Sequence, residues 1–549
     1  MNKRHLLVFA LLAATVAFLI LGTTACKRQA STAPETQPAP PVAPTSHILV
    51  QIHFAGVANI SSDTNSAAFT NEFCSAEARA LESQTLDKLS HAPGIWFKDK
   101  LPNGTNDGSA QLRPLMDDFL KAEWVFEIRE APTSSEYALA IRLDDNRTGI
   151  WQTNLRSLLE SWTKIPAKDI PGGWELKKDL PPNLFRIVRE GDWIIAGCGQ
   201  DTLPLVDAWP KDGKIPGSGN QWLTASLDWP RLAQVFPTLA KFDFPVLQMQ
   251  ATGLNSNLWL KGNFHLSQML PPLAEWIIPT NMIHPPLTSF TAARGFTPWL
   301  DNQSWGKPLE LSPPPNQLFI WSLGLMPLQT FVVVPVSNAT NALAQLGQNL
   351  AANTNWQKDL ISPFEIEHSP NRLFFKGIPF ASPEILAKSE KNGDFLMADV
   401  FPNLPNGKAP PPSLYDTFTH TNLVYYHWEI TSSRLKDLPQ LTQLGLLLTN
   451  HRQLNHDSAA QRWLDRIKSV PGDSVTLVTQ TGPSELAFTR SAPDGLNAME
   501  LIALATWLEA PNFPGCDLSM PAMHFMPIHK PLKQLTSTPS TTPSAPAKK

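Results

Sequence analysis

Fifty-two prolines are spread along this chain of 549 residues, and they limit how long its helices can be. A proline inside a helix costs about 3 kcal/mol, because it removes a backbone hydrogen bond and clashes with the preceding turn. The chain can still bury large cores, since 42% of its residues are hydrophobic and only 17% are charged. We therefore expect two or three globular domains built from short helices and strands.

Strand and helix patterns alternate irregularly along the body of the chain. Apolar residues alternate with polar ones at 48–54, and two hairpins are predicted around the turns at 190–192 and 253–257. Helical spacing of apolar residues occurs at 76–89 (capped by Ser75), 155–162, 232–239 and 270–277. Hairpins mixed with helices predict an α+β fold, in which antiparallel or mixed sheets are covered by helices on one face.

Five segments of the second half resemble segments of the first half in the same order. The matched pairs begin at Leu155/Leu343, Gly191/Gly393, Arg231/Arg434, Val246/Val475 and Leu270/Leu501, with offsets of 188, 202, 203, 229 and 231. Offsets that only increase are what insertions into a duplicated unit would produce. The pattern predicts two similar α+β units at 47–280 and 281–530, the second with an extra helical segment at 444–469. Two unrelated domains with similar patterns are the alternative.

The matched positions are mostly apolar residues and glycines, which pack cores and form turns. Among chargeable residues only Asp192/Asp394 and Arg231/Arg434 recur. The sequence assigns the aspartates to turns and the arginines to helix surfaces. It therefore predicts that a scaffold, not an active site, was copied.

The first 26 residues have the layout of a bacterial export signal. Three basic residues at 3–5 precede sixteen uncharged residues at 6–21, and Thr23-Thr24-Ala25-Cys26 follows. This tetrapeptide resembles a bacterial lipobox, which implies that Cys26 becomes the lipidated first residue, although Thr23 stands where a lipobox has Leu, Val or Ile. An uncleaved anchor is also open, since 6–26 would span about 31 Å as a helix. Cleavage after Ala25 with free secretion is the third possibility.

Residues 27–46 form a linker rich in Pro, Ala and Thr that would hold a folded body away from a surface. We therefore expect an extracytoplasmic protein of the bacterial cell envelope, tethered to the membrane by its N-terminal anchor or lipid. A further protein or envelope partner is expected but unidentified. Nucleic acid is not expected, because the net charge is −4 without a basic block. The Ser/Thr/Pro-rich tail at 531–549 is predicted to be disordered.

Three cysteines remain besides Cys26, and their spacing does not suit a metal site. Cys74, Cys198 and Cys516 are predicted to be buried and unpaired, with a single disulfide as the alternative.

Three local patterns resemble chemical sites but have simpler explanations. Ser161 and Lys164, and again Ser433 and Lys436, have the S-x-x-K spacing of serine acyl-enzymes, but no K-T-G accompanies them. Residues 144–149 begin like a calcium loop, but Leu155 stands where that loop needs a carboxylate. Met523, His524 and Met526 are copper-type ligands that more simply fill a terminal strand or loop.

The sequence therefore predicts no catalytic residue, cofactor or resident metal. The expected role is non-catalytic binding or envelope structure. The alternative is an exported hydrolase whose site is assembled by folding, in the cleft between the two units.

Overall fold

The computed structural model describes residues 47–515 with several internal gaps. The gaps are 98–100, 103–105, 131–134, 180–182, 201, 213–220, 241–243, 298–310, 325–328, 353–364, 379–381, 402–411, 438–457 and 511–512.

Twenty strands form one continuous sheet, and all of their pairings are antiparallel. The first ten are β1 (Ile48–Phe54), β2 (Trp124–Arg129), β3 (Glu136–Arg142), β4 (Lys168–Ile170), β5 (Gly173–Lys177), β6 (Leu184–Glu190), β7 (Trp193–Gly199), β8 (Leu223–Leu227), β9 (Val246–Leu254) and β10 (Asn257–His265). The second ten are β11 (Leu287–Arg294), β12 (Gln317–Leu323), β13 (Thr330–Val336), β14 (Glu365–Ser369), β15 (Arg372–Lys376), β16 (Glu384–Glu390), β17 (Gly393–Asp399), β18 (Leu423–Ile430), β19 (Asp473–Gly482) and β20 (Glu485–Ala492). The α+β class with an antiparallel sheet is confirmed.

The strand order is the same in the two halves of the sheet. The first half runs β4-β5-β6-β7-β3-β2-β1-β8-β9-β10. The second half runs β14-β15-β16-β17-β13-β12-β11-β18-β19-β20, with each strand number raised by ten. The halves join edge to edge where β10 pairs with β20, with Gly262 opposite Phe488.

Most helices are short, as the prolines predicted, but Ala76–Phe97 runs for 22 residues with Pro93 inside it. They are α1 (Val57–Ser62), α2 (Ala67–Phe73), α3 (Ala76–Phe97), α4 (Ser109–Lys121), α5 (Asp145–Thr163), α6 (Pro204–Asp212), α7 (Trp229–Val235), α8 (Ala339–Ala352), α9 (Pro412–Asp416), α10 (431–437), α11 (Ala459–Ile467) and α12 (Ala498–Glu509). Single-turn 3₁₀ helices lie at Thr64–Ser66, Pro237–Leu239 and Thr417–Thr419.

The prediction that helices cover one face of the sheet is wrong. In the first half α5 packs through Trp151 against a core that includes Leu139 and Ile141 of β3. The intervening residues of β3, Ala138 and Ala140, face the other side and pack against α6. Both faces of these strands are therefore buried under helices, which explains why nearly every residue of β3 is buried.

The predicted helix at 270–277 is also wrong, because this segment has no regular secondary structure. Two prolines follow Leu270, and the backbone there is bound by side chains from the second half. Gln317 accepts a hydrogen bond from the Ile277 N–H at 2.8 Å and donates to the Glu275 carbonyl. Arg294 donates to the Ala274 carbonyl and lies 4.6 Å from the Trp276 ring. These partners satisfy backbone groups that a helix would have satisfied internally.

The fifth sequence match therefore joins an irregular segment at 270–277 to helix α12 at 501–508. The other four matches fall at corresponding places along the two halves: α5 with α8, the β6–β7 turn with the start of β17, α7 with α10, and β9 with β19. The matched aspartates are not equivalent. Asp192 lies in the two-residue turn of its hairpin, whereas Asp394 is paired within β17 and accepts from the Ala339 N–H at the start of α8.

Helices also join the two halves. Leu81 and Leu89 of α3 pack in one core with Leu464 of α11 and Leu501 of α12. Lys88 donates to the Leu508 carbonyl at 2.7 Å. The first half thus supports the helices that cover the second half.

Some of the predictions about single residues are confirmed, some are wrong, and some fall outside the described residues. Ser75 caps α3 by accepting from the Ala78 N–H, as predicted. Cys74 and Cys198 are both unpaired as predicted, but Cys74 is exposed and Cys198 is only partly buried. Cys516, the linker, the tail and most of 444–469 lie outside the described residues. Within the described ranges, no helix is both long and apolar enough to cross a membrane.

Candidate functional site: a buried polar site in the second half

Strand β18 supplies the centre of the candidate site. Its alternation places Tyr425, His427 and Glu429 on one face and Tyr426 and Trp428 on the other. The latter two pack against an apolar core. The first three face away from that core, so the strand separates an apolar side from a polar side.

Sheet pairing extends the polar side across six strands in two rows, which we call the polar floor. The first row is Thr330, Ser322, Ser289, Glu429 and Ser474. The second row is Thr291, His427, Thr476 and Arg490. Ser474 is completely buried and Glu429 is 2% exposed, so both lie beneath the elements that cover this face.

His427 lies between a hydroxyl and a carboxylate. Its Nδ1 is 2.8 Å from Thr291 Oγ1, and its Nε2 is 3.4 Å from Glu429 Oε2. The other oxygen of Glu429 accepts from the Ala498 N–H, at the start of α12, at 2.7 Å. The carboxylate is therefore fixed between the floor and the helix above it.

Helices α10 and α12 cover the polar floor, and each is joined to it by a contact that involves an arginine. Arg434 of α10 donates from Nη1 to Ser322 Oγ at 2.9 Å. Arg490 of the floor makes a bidentate pair with Glu500 of α12, at 2.7 and 2.9 Å. Glu500 also accepts from the Asn497 N–H and so completes the N-terminal cap of α12.

The electrostatics keep the carboxylate ionised. Burial alone would raise the pKa of Glu429, but His427 and the Ala498 N–H outweigh it and hold the pKa below its ordinary value. Burial lowers the pKa of Arg434 while Glu429 opposes this. Burial raises the pKa of Tyr425 to about 12, so its hydroxyl stays protonated. The site thus holds Glu429 and Arg434 as a partly compensated pair.

Three buried polar atoms around Glu429 have neither a hydrogen-bond partner nor an ion-pair contact in the part of the chain that the structure describes. They are Ser474 Oγ, Thr431 Oγ1 and Arg434 Nε. Each such atom costs about 1–3 kcal/mol when left unsatisfied. A concentration of them in one place indicates that a water, ion or ligand completes the site.

The corresponding face of the first half is an apolar core. Helices α5 and α8 each follow the third strand of their half and pack on this face. In the second half, the face on which α8 packs continues into the polar floor. In the first half, the face on which α5 packs continues into Val50 of β1, Leu227 of β8 and Leu247 of β9, which are all buried and apolar. The polar site is therefore a feature of the second half only.

A second buried polar cluster lies elsewhere on the same half. Glu384 and Asp399 face each other across β16 and β17, and both are 4% exposed. Arg372 forms an ion pair with Glu384, whereas neither oxygen of Asp399 has a hydrogen-bond partner among the described residues. Burial and the neighbouring Glu384 raise the pKa of Asp399 to about 7. Asp399 is therefore about half protonated near pH 7 and mostly the neutral acid below it.

The first half has an open groove on its helices. It has a volume of about 800 Å³ and is lined by Asp87, Arg113, Asp117, Asp118 and Arg147 among others. These five charged side chains are already paired, since Arg113 binds Asp87 and Asp117, and Arg147 binds Asp118. They therefore offer an incoming charge little that is unsatisfied.

No family model, no curated protein and no solved structure matches this chain. The arrangement of its own residues must therefore support any functional proposal.

The locally predicted motifs are structural where they are described. Ser161 lies in the last turn of α5, and Lys164 follows as its left-handed cap. Asp144 caps the start of α5 by accepting from the Arg147 N–H at 2.8 Å, which is a turn role and not a calcium loop. Among the residues that the structure describes, no group of three metal-type side chains comes together. Cys26, Met523, His524 and Met526 lie outside those residues.

Sequence reasoning missed the polar floor, although one signal was available. Tyr425, His427 and Glu429 alternate within a strand pattern, and a strand that is polar on the inward face is unusual. Arg434 was expected on a helix surface. That expectation suits its match Arg231, which pairs with Asp228 near the surface, but it is wrong for Arg434.

Proposed function

We propose that this chain is a membrane-tethered, extracytoplasmic binding protein whose binding site is the polar floor of the second half under α10 and α12. The observation that carries the proposal is the group of three unsatisfied polar atoms around Glu429. If no ligand bound there, replacing these buried polar side chains with apolar ones would stabilise the chain. The first half has apolar side chains on the same face. The polar side chains of the second half therefore imply that something binds there.

We also propose that the two halves arose by duplication and that the second one diverged to bind. The repeated strand order supports the duplication, and the apolar side chains at Val50, Leu227 and Leu247 support the divergence. On this view the first half is a scaffold that stabilises the second through β10 and α3.

The tether can be tested by metabolic labelling with a palmitate analogue. We expect the native chain to incorporate the label and Cys26→Ser to lose it, because only a lipobox cysteine receives the lipid. Cys74→Ser, which changes an exposed cysteine of the folded body, should keep the label. If the native chain is not labelled but still sediments with membranes, the uncleaved anchor and not a lipid tethers the protein.

Binding can be tested by hydrogen–deuterium exchange on the full chain. The small-molecule fraction of an envelope extract from the source cells should slow exchange in β18, α10 and the first turn of α12. Strands β1 and β8 hold the equivalent places in the first half and serve as an internal control. Unchanged exchange in β18, or equal protection of both halves, would contradict the proposal.

An exported hydrolase remains the second candidate because of one contact. The 2.8 Å approach of Thr291 Oγ1 to His427 Nδ1, with Glu429 beyond the ring, has the order of a nucleophile, a base and an orienting acid. Turnover of an extract component by the native chain, abolished by Thr291→Val, would favour this candidate over simple binding.

A further inference from the structure

We propose that the polar floor takes a neutral, polyhydroxylated ligand of the sugar class, an inference that rests on the binding role proposed above. The three unsatisfied atoms set the hydrogen-bonding requirement. Ser474 and Thr431 offer hydroxyls, each able to donate or to accept. A ligand hydroxyl also does both, so it can satisfy either of the two. Arg434 Nε can only donate, and it needs an acceptor oxygen.

The charges around the site argue against a strongly charged ligand. Arg490 is neutralised by its bidentate contact with Glu500. Arg434 is balanced by the ionised Glu429 and by Asp437, which both act on it electrostatically. An anion would meet Glu429, and a cation would meet Arg434. A neutral ligand avoids both penalties.

The third row of the same face supplies an apolar and aromatic surface beside the polar floor. Tyr425 is paired with Val478, and Val478 with Phe488. All three are only partly buried. The Tyr425 ring lies nearly parallel to His427, at an interplanar angle of 18°. A pyranose has an apolar C–H face and polar hydroxyl edges, which fits an aromatic platform next to a row of hydroxyls.

The test is saturation-transfer difference NMR on the full chain. The probes are glucose, galactose and N-acetylglucosamine as neutral pyranoses, with glucuronate as a charged comparison. We expect transfer to at least one neutral sugar and at least fivefold less transfer to glucuronate. The double variant Ser474→Ala with Thr431→Val should reduce the sugar signal at least fivefold, while Gln248→Ala, on an exposed position of β9, should leave it unchanged.

Folding does not obscure this test, because the double variant removes two unsatisfied hydroxyls with almost no change in volume. Its melting temperature without sugar should equal or exceed that of the native chain. Three results would each overturn the ligand class. They are no transfer to any of the neutral sugars, stronger transfer to glucuronate than to those sugars, and an undiminished sugar signal in the double variant. Exchange protection by the envelope extract without transfer to any sugar would reject the sugar and keep the binding role. If neither exchange protection by the extract nor transfer to a sugar is observed, both the binding role and the sugar ligand are rejected.

Discussion

Glu500→Gln is expected to lower the free energy of unfolding by about 3–5 kcal/mol, because it leaves Arg490 charged and buried without its counter-ion. The side chains of this pair are only 13% and 5% exposed, so water cannot replace the lost carboxylate. The same substitution weakens the cap of α12, whose first turn holds Glu429 in place. Equilibrium urea unfolding of the full chain measures the loss.

A matched exposed pair provides the control. Arg156 and Glu160 of α5 form an ion pair at 35% and 34% exposure, so Glu160→Gln should cost less than about 1 kcal/mol. Adding Arg490→Met to Glu500→Gln should recover most of the stability, since the uncompensated charge is then gone. If Glu500→Gln lowers the free energy of unfolding no more than Glu160→Gln does, the buried pair does not hold α12 on the polar floor.

Asp399→Asn is expected to stabilise the chain above pH 7 and to change little near pH 4. The folded chain keeps a proton on Asp399 up to a pKa of about 7, whereas the unfolded chain loses it near the ordinary value of 3.8. Between these values the folded state binds the extra proton, so its stability falls as pH rises, by about 1.4 kcal/mol per unit and about 4 kcal/mol in all. The asparagine variant lacks this slope.

Urea unfolding at pH 4, 5.5, 7 and 8.5 measures the difference between the two chains. Asp192→Asn is the control, because Asp192 is 70% exposed in its turn and should leave the profile unchanged. A difference that is constant across the pH range would show that Asp399 titrates normally and that burial opposite Glu384 does not hold its proton.

The local elements of this fold could be predicted because each is set by a short pattern. Alternation marks β1, and a two-residue turn marks the β6–β7 hairpin. The segment at 270–277 could not be predicted, since its apolar spacing suits a helix but its carbonyls are bound by Arg294 and Gln317 from later strands. Nor could the sequence show helices on both faces, which depends on where α6 returns to the sheet.

The candidate site depends on strand neighbours that one sequence cannot reveal. The alternation of Tyr425, His427 and Glu429 is a strand signal, but Thr291, the partner of His427, lies 136 positions earlier and reaches it only through the β11–β18 pairing. Ser474 looks like an ordinary strand residue until its pairing with Glu429 is known. Similarly, Arg434 could be distinguished from Arg231 only by the polar floor beneath it.

The measurement that tests the central claim most directly is hydrogen–deuterium exchange of the native chain and the Ser474→Ala, Thr431→Val double variant, each with and without the envelope small-molecule fraction. We predict slower exchange of β18 and α10 in the native chain, loss of that protection in the double variant, and no change in β1 and β8 of either. Protection that persists in the double variant, or that is absent from the native chain, would contradict a binding site on the polar floor.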